Sequence, residues 1–160
     1  MSQKLNLLDS LIKDKAILVH QEAKTWQEAV KISTQPLVTA KIINDKYYQD
    51  IIESTAKHGP YYVIMPGLAM PHASATEDSV FGNGFSLITL KEPVVFENGF
   101  EVSVLICIAA IDGETHTQVA IPQIVAVFED PENITKIAQM NSKEEIIEFI
   151  RSIDYAKYLV

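Results

Sequence analysis

The run Val102-Ser103-Val104-Leu105-Ile106-Cys107-Ile108-Ala109-Ala110 constrains the fold more than any other stretch of the chain. Asn98-Gly99 stands before it, and Asp112-Gly113-Glu114 ends it. Its length, valines and isoleucines favour a strand, and its apolar character favours burial on both faces. Such a strand needs neighbours in a sheet and layers packed over it.

The rest of the chain supplies both. Ala16-Ile17-Leu18-Val19-His20 is apolar throughout and reads as a second, central strand, with His20 as a structural residue at its end. Residues 61–65, 85–90 and 94–96 read as three more strands. Asn98-Gly99 is the strongest short turn dipeptide and joins 94–96 to the long apolar run as a hairpin, which argues against an all-parallel sheet. Helices fall between these runs. Leu7, Leu8, Leu11 and Ile12 repeat at helical spacing. Thr25-Trp26-Gln27-Glu28 has capping-box form, and Trp26, Ala29, Val30, Ser33 and Leu37 share one face behind it. Pro36 is expected to kink or end that helix. Asn44 can cap the next, with Tyr48, Ile51, Ile52 and Thr55 inward, and Gly59-Pro60 stops it.

Thr115-His116-Thr117-Gln118 again has capping-box form, which puts His116 at the first helical position. Pro122 then bends a helix begun at Thr115, the favoured reading, or marks a later start. Asp130-Pro131 opens another helix. Ser142 to Glu145 caps a last one, with Ile146, Phe149, Ile150 and Ile153 inward. The expectation is a single α/β domain over 1–160: a mixed, mostly five-stranded sheet flanked by helices on both faces.

Charge narrows the partners. With 21 acidic and 13 basic residues the net charge is −8. A phosphate backbone demands a basic face, so no nucleic-acid partner is expected. A protein that is basic at its contact fits better. No apolar run approaches the ~20 residues that span a bilayer, and the start, Met1 to Asn6, lacks the long apolar segment of a signal peptide. The single cysteine, Cys107, cannot form an internal disulfide, which fits a reducing cytoplasm, and its apolar setting marks it as a packed small hydrophobe. The only arginine is Arg151, so no arginine clamp stands beside the candidate site in sequence.

That candidate is Met65-Pro66-Gly67-Leu68-Ala69-Met70-Pro71-His72-Ala73-Ser74. Pro71 presets its own φ and biases Met70 toward an extended conformation, a rigid mount for one imidazole. The plain alternative is a loop histidine on a proline turn. In sheets of this kind, sites gather where strands end. His72 follows one expected strand end and His116 another. A neutral imidazole is a nucleophile at physiological pH. A second histidine can donate an N–H, a helix start at 115–118 offers backbone N–H groups to an anion, and the hydroxyls of Ser74 and Thr115 add two donors. Together these describe a phosphoryl-accepting histidine in an anion cradle, chemistry that needs mainly positioning and charge stabilisation. No cofactor and no metal enters it.

Gly67-Leu68-Ala69-Met70-Pro71-His72-Ala73 resembles the Gly-x-Ala-x-Pro-His segment of IIA components of the bacterial sugar phosphotransferase system (PTS), in the mannitol/fructose-type superfamily. The whole chain resembles the ascorbate-specific branch. The points of likeness are Glu22-Ala23-Lys24-Thr25-Trp26-Gln27-Glu28-Ala29-Val30, His58-Gly59-Pro60-Tyr61-Tyr62, Thr115-His116 and Gln123-Ile124-Val125. The resemblance implies a mannitol-type IIA fold and a cytoplasmic phosphocarrier. His72 would take a phosphoryl group from the histidine-containing phosphocarrier protein (HPr) and pass it to a cysteine of the IIB component. IIB phosphorylates the sugar, L-ascorbate in this branch, as the membrane IIC component transports it. By the same resemblance His116 is the second active-site histidine.

Two departures concern the phosphoryl charge. Many relatives have an arginine or glycine just after the histidine, where Ala73-Ser74 stand here, and many carry an upstream arginine roughly where Lys57-His58 stand. His116 and backbone N–H groups are therefore expected to neutralise most of the charge. His58 is a third phosphate-binding candidate, against its plain reading as a helix C-terminal histidine favoured by the dipole. An exposed apolar patch near Met65, Leu68 and Met70, rimmed by Glu77 and Asp78, would suit a transient protein contact, unless those residues are core. Other readings are a regulatory relative that signals by histidine phosphorylation, a non-catalytic binding module, and a metal-dependent hydrolase using His72, His116 and Asp112. No metal-ligand spacing such as His-x-x-x-His supports the last. A IIB component would need an exposed reactive cysteine, which Cys107 is not expected to be.

Overall fold

The computed structural model describes residues 5–63 and 65–159. Parts of two expectations, the N-terminal residues 1–4 and Ile64 within the run 61–65, lie outside the described residues.

Among the described residues four strands form one sheet in the order β1-β3-β4-β2. These are β1 Ile17–Gln21, β2 Gly67–Ala69, β3 Gly84–Val95 and β4 Glu101–Ala109. β3 and β4 pair antiparallel through the turn at Asn98-Gly99, where Gly99 takes φ +86. β1 lies parallel to β3 and β2 parallel to β4. The sheet is thus mixed and flanked by helices, as expected, but with four strands rather than five. The runs 85–90 and 94–96 are one strand, β3, interrupted by a register shift between Thr89 and Val94. Pro93 sits in that irregular stretch, where its missing N–H breaks no ladder bond.

Two further strand expectations are corrected. β1 is an edge strand, not a central one, and every side chain along it after Ile17 is half-buried or exposed. Residues 61–63 form a turn rather than a strand: Gly59 ends the preceding helix at φ +75, Tyr61 N–H donates to the Gly59 carbonyl, and Val63 N–H donates to that of Pro60. Tyr62 and Val63 bury their side chains without pairing. The strand comes later, at Gly67–Ala69.

The long apolar run behaves as its composition predicts. Residues 104–109 of β4 and 84–90 of β3 are buried without a break, so both faces of the sheet centre are covered. The helices are α1 Leu7–Lys13, α2 Trp26–Thr39, α3 Asp45–His58, α4 Ile121–Val127, α5 Glu132–Gln139 and α6 Lys143–Arg151. A π-helical segment, Thr115–Ala120, runs directly into α4. The predicted caps at Thr25, Asn44 and Ser142 accept from Glu28 N–H (3.2 Å), Lys46 N–H (3.0 Å) and Glu145 N–H (3.2 Å). Asp130 accepts from Glu132 N–H at 3.0 Å. Pro36 does not end α2, which continues to Thr39. The buried stripe of α3 is Tyr47, Ile51 and Thr55, at strict i+4 spacing, while Tyr48 and Ile52 flank it half-buried.

Candidate active site

β2 delivers the Pro-His segment to the sheet edge. Gly67 opens this strand at φ +97, and a Cβ there would stand 2.8 Å from Cγ2 of Ile134 on α5. Both the backbone and the packing therefore require glycine. Gly67→Ala is expected to destabilise the protein by roughly 2–4 kcal/mol, from overpacking plus left-handed strain, read as a lower urea midpoint at unchanged slope. Beyond β2, Met70 N–H donates to the Tyr62 carbonyl (3.1 Å), and the Pro71 carbonyl accepts from Ile108 N–H of β4 (3.0 Å). The residue before His72 is thus anchored to a central strand.

His72 is half-buried, with Nδ1 2.6 Å from the Met70 carbonyl. A carbonyl can only accept, so Nδ1 carries the proton and Nε2 keeps its lone pair. The ring centroid of His116 lies 4.2 Å away, with the rings tilted by 49°. Burial, and then the neighbouring His116, push the His72 pKa down to about 4, against a smaller upward pull from the Met70 carbonyl. Burial also lowers the pKa of His116. Both rings are therefore neutral at pH 7, and one presents a free nitrogen.

The depressed His72 pKa has a consequence for stability. Between its ordinary value, 6.5, and about 4, the unfolded chain binds a proton that the folded chain refuses. The His72 contribution is full above pH 6.5 and is lost progressively as pH falls toward 4. Denaturation followed across that window should show a stability loss on acidification that is diminished in His72→Gln.

His116 reaches the site differently from the capping-box expectation. The cap is Asp112: its Oδ1 accepts from Thr115 N–H (2.7 Å), and its carbonyl accepts from His116 N–H (3.2 Å). The helix starts at Gly113, so His116 lies at the end of the first turn rather than at the first helical position. The hydrogen bond from Thr115 N–H lowers the Asp112 pKa, with the Thr115 hydroxyl adding to it. Pro122 lies beyond the π-helical segment. In a regular α-helix its ring would collide with the Gln118 carbonyl, and the wider π turn relieves that contact.

A cleft of about 480 Å³ opens over the histidine pair, lined by Ser54, His58, Tyr61, Ser74, Asp112 and Gly113 among others. Three of the four histidines, His58, His72 and His116, line it. His20 is elsewhere, with Nε2 2.7 Å from the Met140 carbonyl. Ser74 is exposed on the wall, and His58 stands at the C-terminal end of α3, 6.4 Å between ring centroids from Tyr61. Thr115 is not part of the lining, and its N–H is taken by Asp112. The expected apolar patch is mostly core: Leu68 and Met70 are buried, and Met65 is half-buried. The apolar groups exposed at the cleft are instead Tyr61 on its wall and Ile111 just beside it. Cys107 is fully buried, and burial pushes its thiol up to about 12, which disqualifies it as an exposed nucleophile.

Two tyrosines at the site escaped the sequence reading. The Tyr61 hydroxyl donates to the His72 carbonyl, and its ring meets the His72 ring edge-on at 5.2 Å. The buried Tyr47 hydroxyl donates to the Ile108 carbonyl (2.5 Å) and accepts from Ala73 N–H (3.1 Å). The only hint of Tyr61 was its place in the segment His58-Gly59-Pro60-Tyr61-Tyr62.

Comparison with known proteins bears on this geometry. The family model for the phosphoenolpyruvate-dependent sugar phosphotransferase system, EIIA 2, matches residues 10–153. The ascorbate-specific PTS system EIIA component of Escherichia coli (strain K12) is 45% identical over 148 residues, 91% of this chain and 96% of that protein. A structure from Streptococcus pyogenes M1 GAS, assigned as a PTS IIA domain, is 49% identical with a TM-score of 0.88, covering 92% of this chain and 97% of its own. The mannitol-specific cryptic phosphotransferase enzyme IIA of Escherichia coli is 30% identical with a TM-score of 0.79, covering 92% and 99%. The fold is thus that of mannitol-type IIA proteins, and a Pro-His segment facing a second histidine stands on it. By sequence and by structure, the chain belongs to the EIIA 2 family of the phosphoenolpyruvate-dependent sugar phosphotransferase system.

Proposed function

We propose that Nε2 of His72 accepts a phosphoryl group from the phosphohistidine of HPr and passes it to a cysteine of a IIB component. The observation that carries this is the Nδ1 contact with the Met70 carbonyl, which leaves Nε2 unprotonated beside His116. In the first step the donor N–P bond breaks as the Nε2–P bond forms, and the proton stays on Nδ1, hydrogen-bonded to the Met70 carbonyl. In the second step the Nε2–P bond breaks, the IIB thiolate takes the phosphoryl group, and His72 returns to its neutral form. His116 donates an N–H to the phosphoryl oxygens. Their charge raises the His116 pKa, so that ring takes up a proton and offsets the dianion. Ser74 and the first helical N–H group, at Gly113, add weaker donors, with His58 also on the cleft wall. Thr115 acts only through the helix start it shares with Asp112.

The sugar follows from relationship rather than from the site, because no residue here needs to touch sugar. The 45% identity to an ascorbate-specific EIIA component supports L-ascorbate, with membrane IIC as the associated transporter. The whole chain, 1–160, then acts as one cytoplasmic IIA domain. Among the described residues no helix is long and apolar enough to cross a membrane. A regulatory relative would accept the same phosphoryl group and feed no sugar. The test is incubation with HPr, its kinase and radiolabelled phosphoenolpyruvate, followed by mapping of the acid-labile label and by addition of an ascorbate-specific IIB. Label on His72 that moves to IIB is the expected result. Label that stays on this protein favours the regulatory alternative, and label on another residue overturns the assignment.

A further inference from the structure

We propose that Tyr47 and Tyr61 are positioning residues for His72, acting as a clamp on the peptide unit that joins His72 to Ala73. The proposal rests on the phosphoacceptor role of His72. The two phenols come from different parts of the chain, Tyr47 from α3 and Tyr61 from the turn that follows it. Tyr61 donates to the carbonyl of this peptide, and Tyr47 accepts from its N–H at 3.1 Å. One peptide unit is therefore gripped at both of its polar atoms.

The clamp is referenced to β4. Tyr47 donates to the Ile108 carbonyl, while Ile108 N–H donates to the Pro71 carbonyl, so the units on either side of His72 are tied to the same strand residue. The Tyr47 phenol is deeply buried, and burial holds its pKa well above the ordinary value, so it stays protonated and keeps donating. Tyr61, by contrast, is 39% exposed and lines the cleft. Its ring buttresses the His72 ring edge-on.

What the clamp secures is the tautomer. His72 Nδ1 reaches back only two residues, to the Met70 carbonyl, and that short closure holds over a narrow range of backbone dihedrals. Once the following peptide is free to rotate, Nδ1–H exchanges the carbonyl for water. The proton can then populate Nε2 and remove the lone pair the reaction needs. A misplacement of this size acts on the rate of transfer and not on the docking of the donor.

Tyr61→Phe keeps the ring and removes only the hydroxyl. Its expected rate of phosphoryl uptake at saturating HPr is about tenfold lower, with an unchanged half-saturating HPr concentration and a melting temperature close to that of the parent. Its His72 imidazole ¹⁵N spectrum should move from an Nδ1–H tautomer to a mixture. Tyr47→Phe is expected to lose more rate and some stability, since two backbone groups lose their partner; if it does not fold, Tyr61→Phe decides alone. A parent-like rate and tautomer in Tyr61→Phe overturns the clamp, as does an effect confined to the half-saturating concentration. A parent protein that takes up no label overturns the phosphoacceptor role instead, and the imidazole spectrum then decides on the clamp by itself.

Discussion

His72→Ala is expected to reduce phosphoryl uptake from HPr to background. The nucleophilic nitrogen is gone, and no other group in the cleft replaces it: among the described residues His116 has no carbonyl partner like the one that fixes the proton on one side of the His72 ring, and Cys107 is sealed in the core. The fold should survive, because His72 is only half-buried and the loss amounts to one side-chain hydrogen bond, worth about 1 kcal/mol. Circular dichroism and a melting curve close to those of the parent would verify that the loss is chemical. His72→Ala protein that is labelled as well as the parent would sink the assignment outright.

His116→Ala is the second large effect. Removing one donor aimed at developing charge costs about 10²-fold in comparable sites, and a drop of that order in the rate of uptake is expected. His116→Gln keeps an N–H donor but cannot become cationic, so it should recover only part of the loss. The split is diagnostic. If the histidine matters mainly as a donor, glutamine restores most of the rate; if it matters as a proton acceptor facing a dianion, the phosphorylated form of both variants hydrolyses or transfers abnormally. Rates for HPr to this protein, and for this protein to IIB, measured separately, distinguish the two. A rate unaffected in both variants would remove His116 from the mechanism.

Much of this architecture could be read from residue order because it depends on local chemistry. β4 announced itself through an unbroken apolar run, the β3–β4 hairpin through Asn98-Gly99, and three helix starts through Thr25, Asn44 and Ser142, each of which makes the predicted bond. Pro71-His72 pointed to a rigid mount, and the mount is there. The departures from expectation have two causes: a neighbouring turn that outweighs strand composition, and features decided at long range. Residues 61–63 have strand composition, but Gly59-Pro60 turns them, and their burial comes from the core rather than from pairing. Leu68 and Met70 looked like a docking patch because nothing in a linear sequence says which side of a short strand faces inward. Helical spacing alone admits Tyr48 as readily as Tyr47 for the inner stripe of α3, and only the packed sheet chooses Tyr47. The bonds that tie both tyrosines to the site run to backbone atoms, which carry no signature in residue types at all.

The π-helical segment has a bearing on how the histidine pair comes to face itself. In an uninterrupted α-helix, His116 would share a stripe with Ala120, Gln123, Ile124 and Val127, and those four are buried. A helix in that phase would aim the imidazole at the core. The extra residue in the turn before Pro122 offsets the angular phase by on the order of 100°, one residue's rotation. α4 can then seat its apolar side in the core while the turn ahead of it swings His116 onto the cleft wall. Pro122 is thereby a phase-setter for a side chain six positions upstream. Restoring regular α geometry by substitution there would misdirect the imidazole without touching a single residue of the cleft.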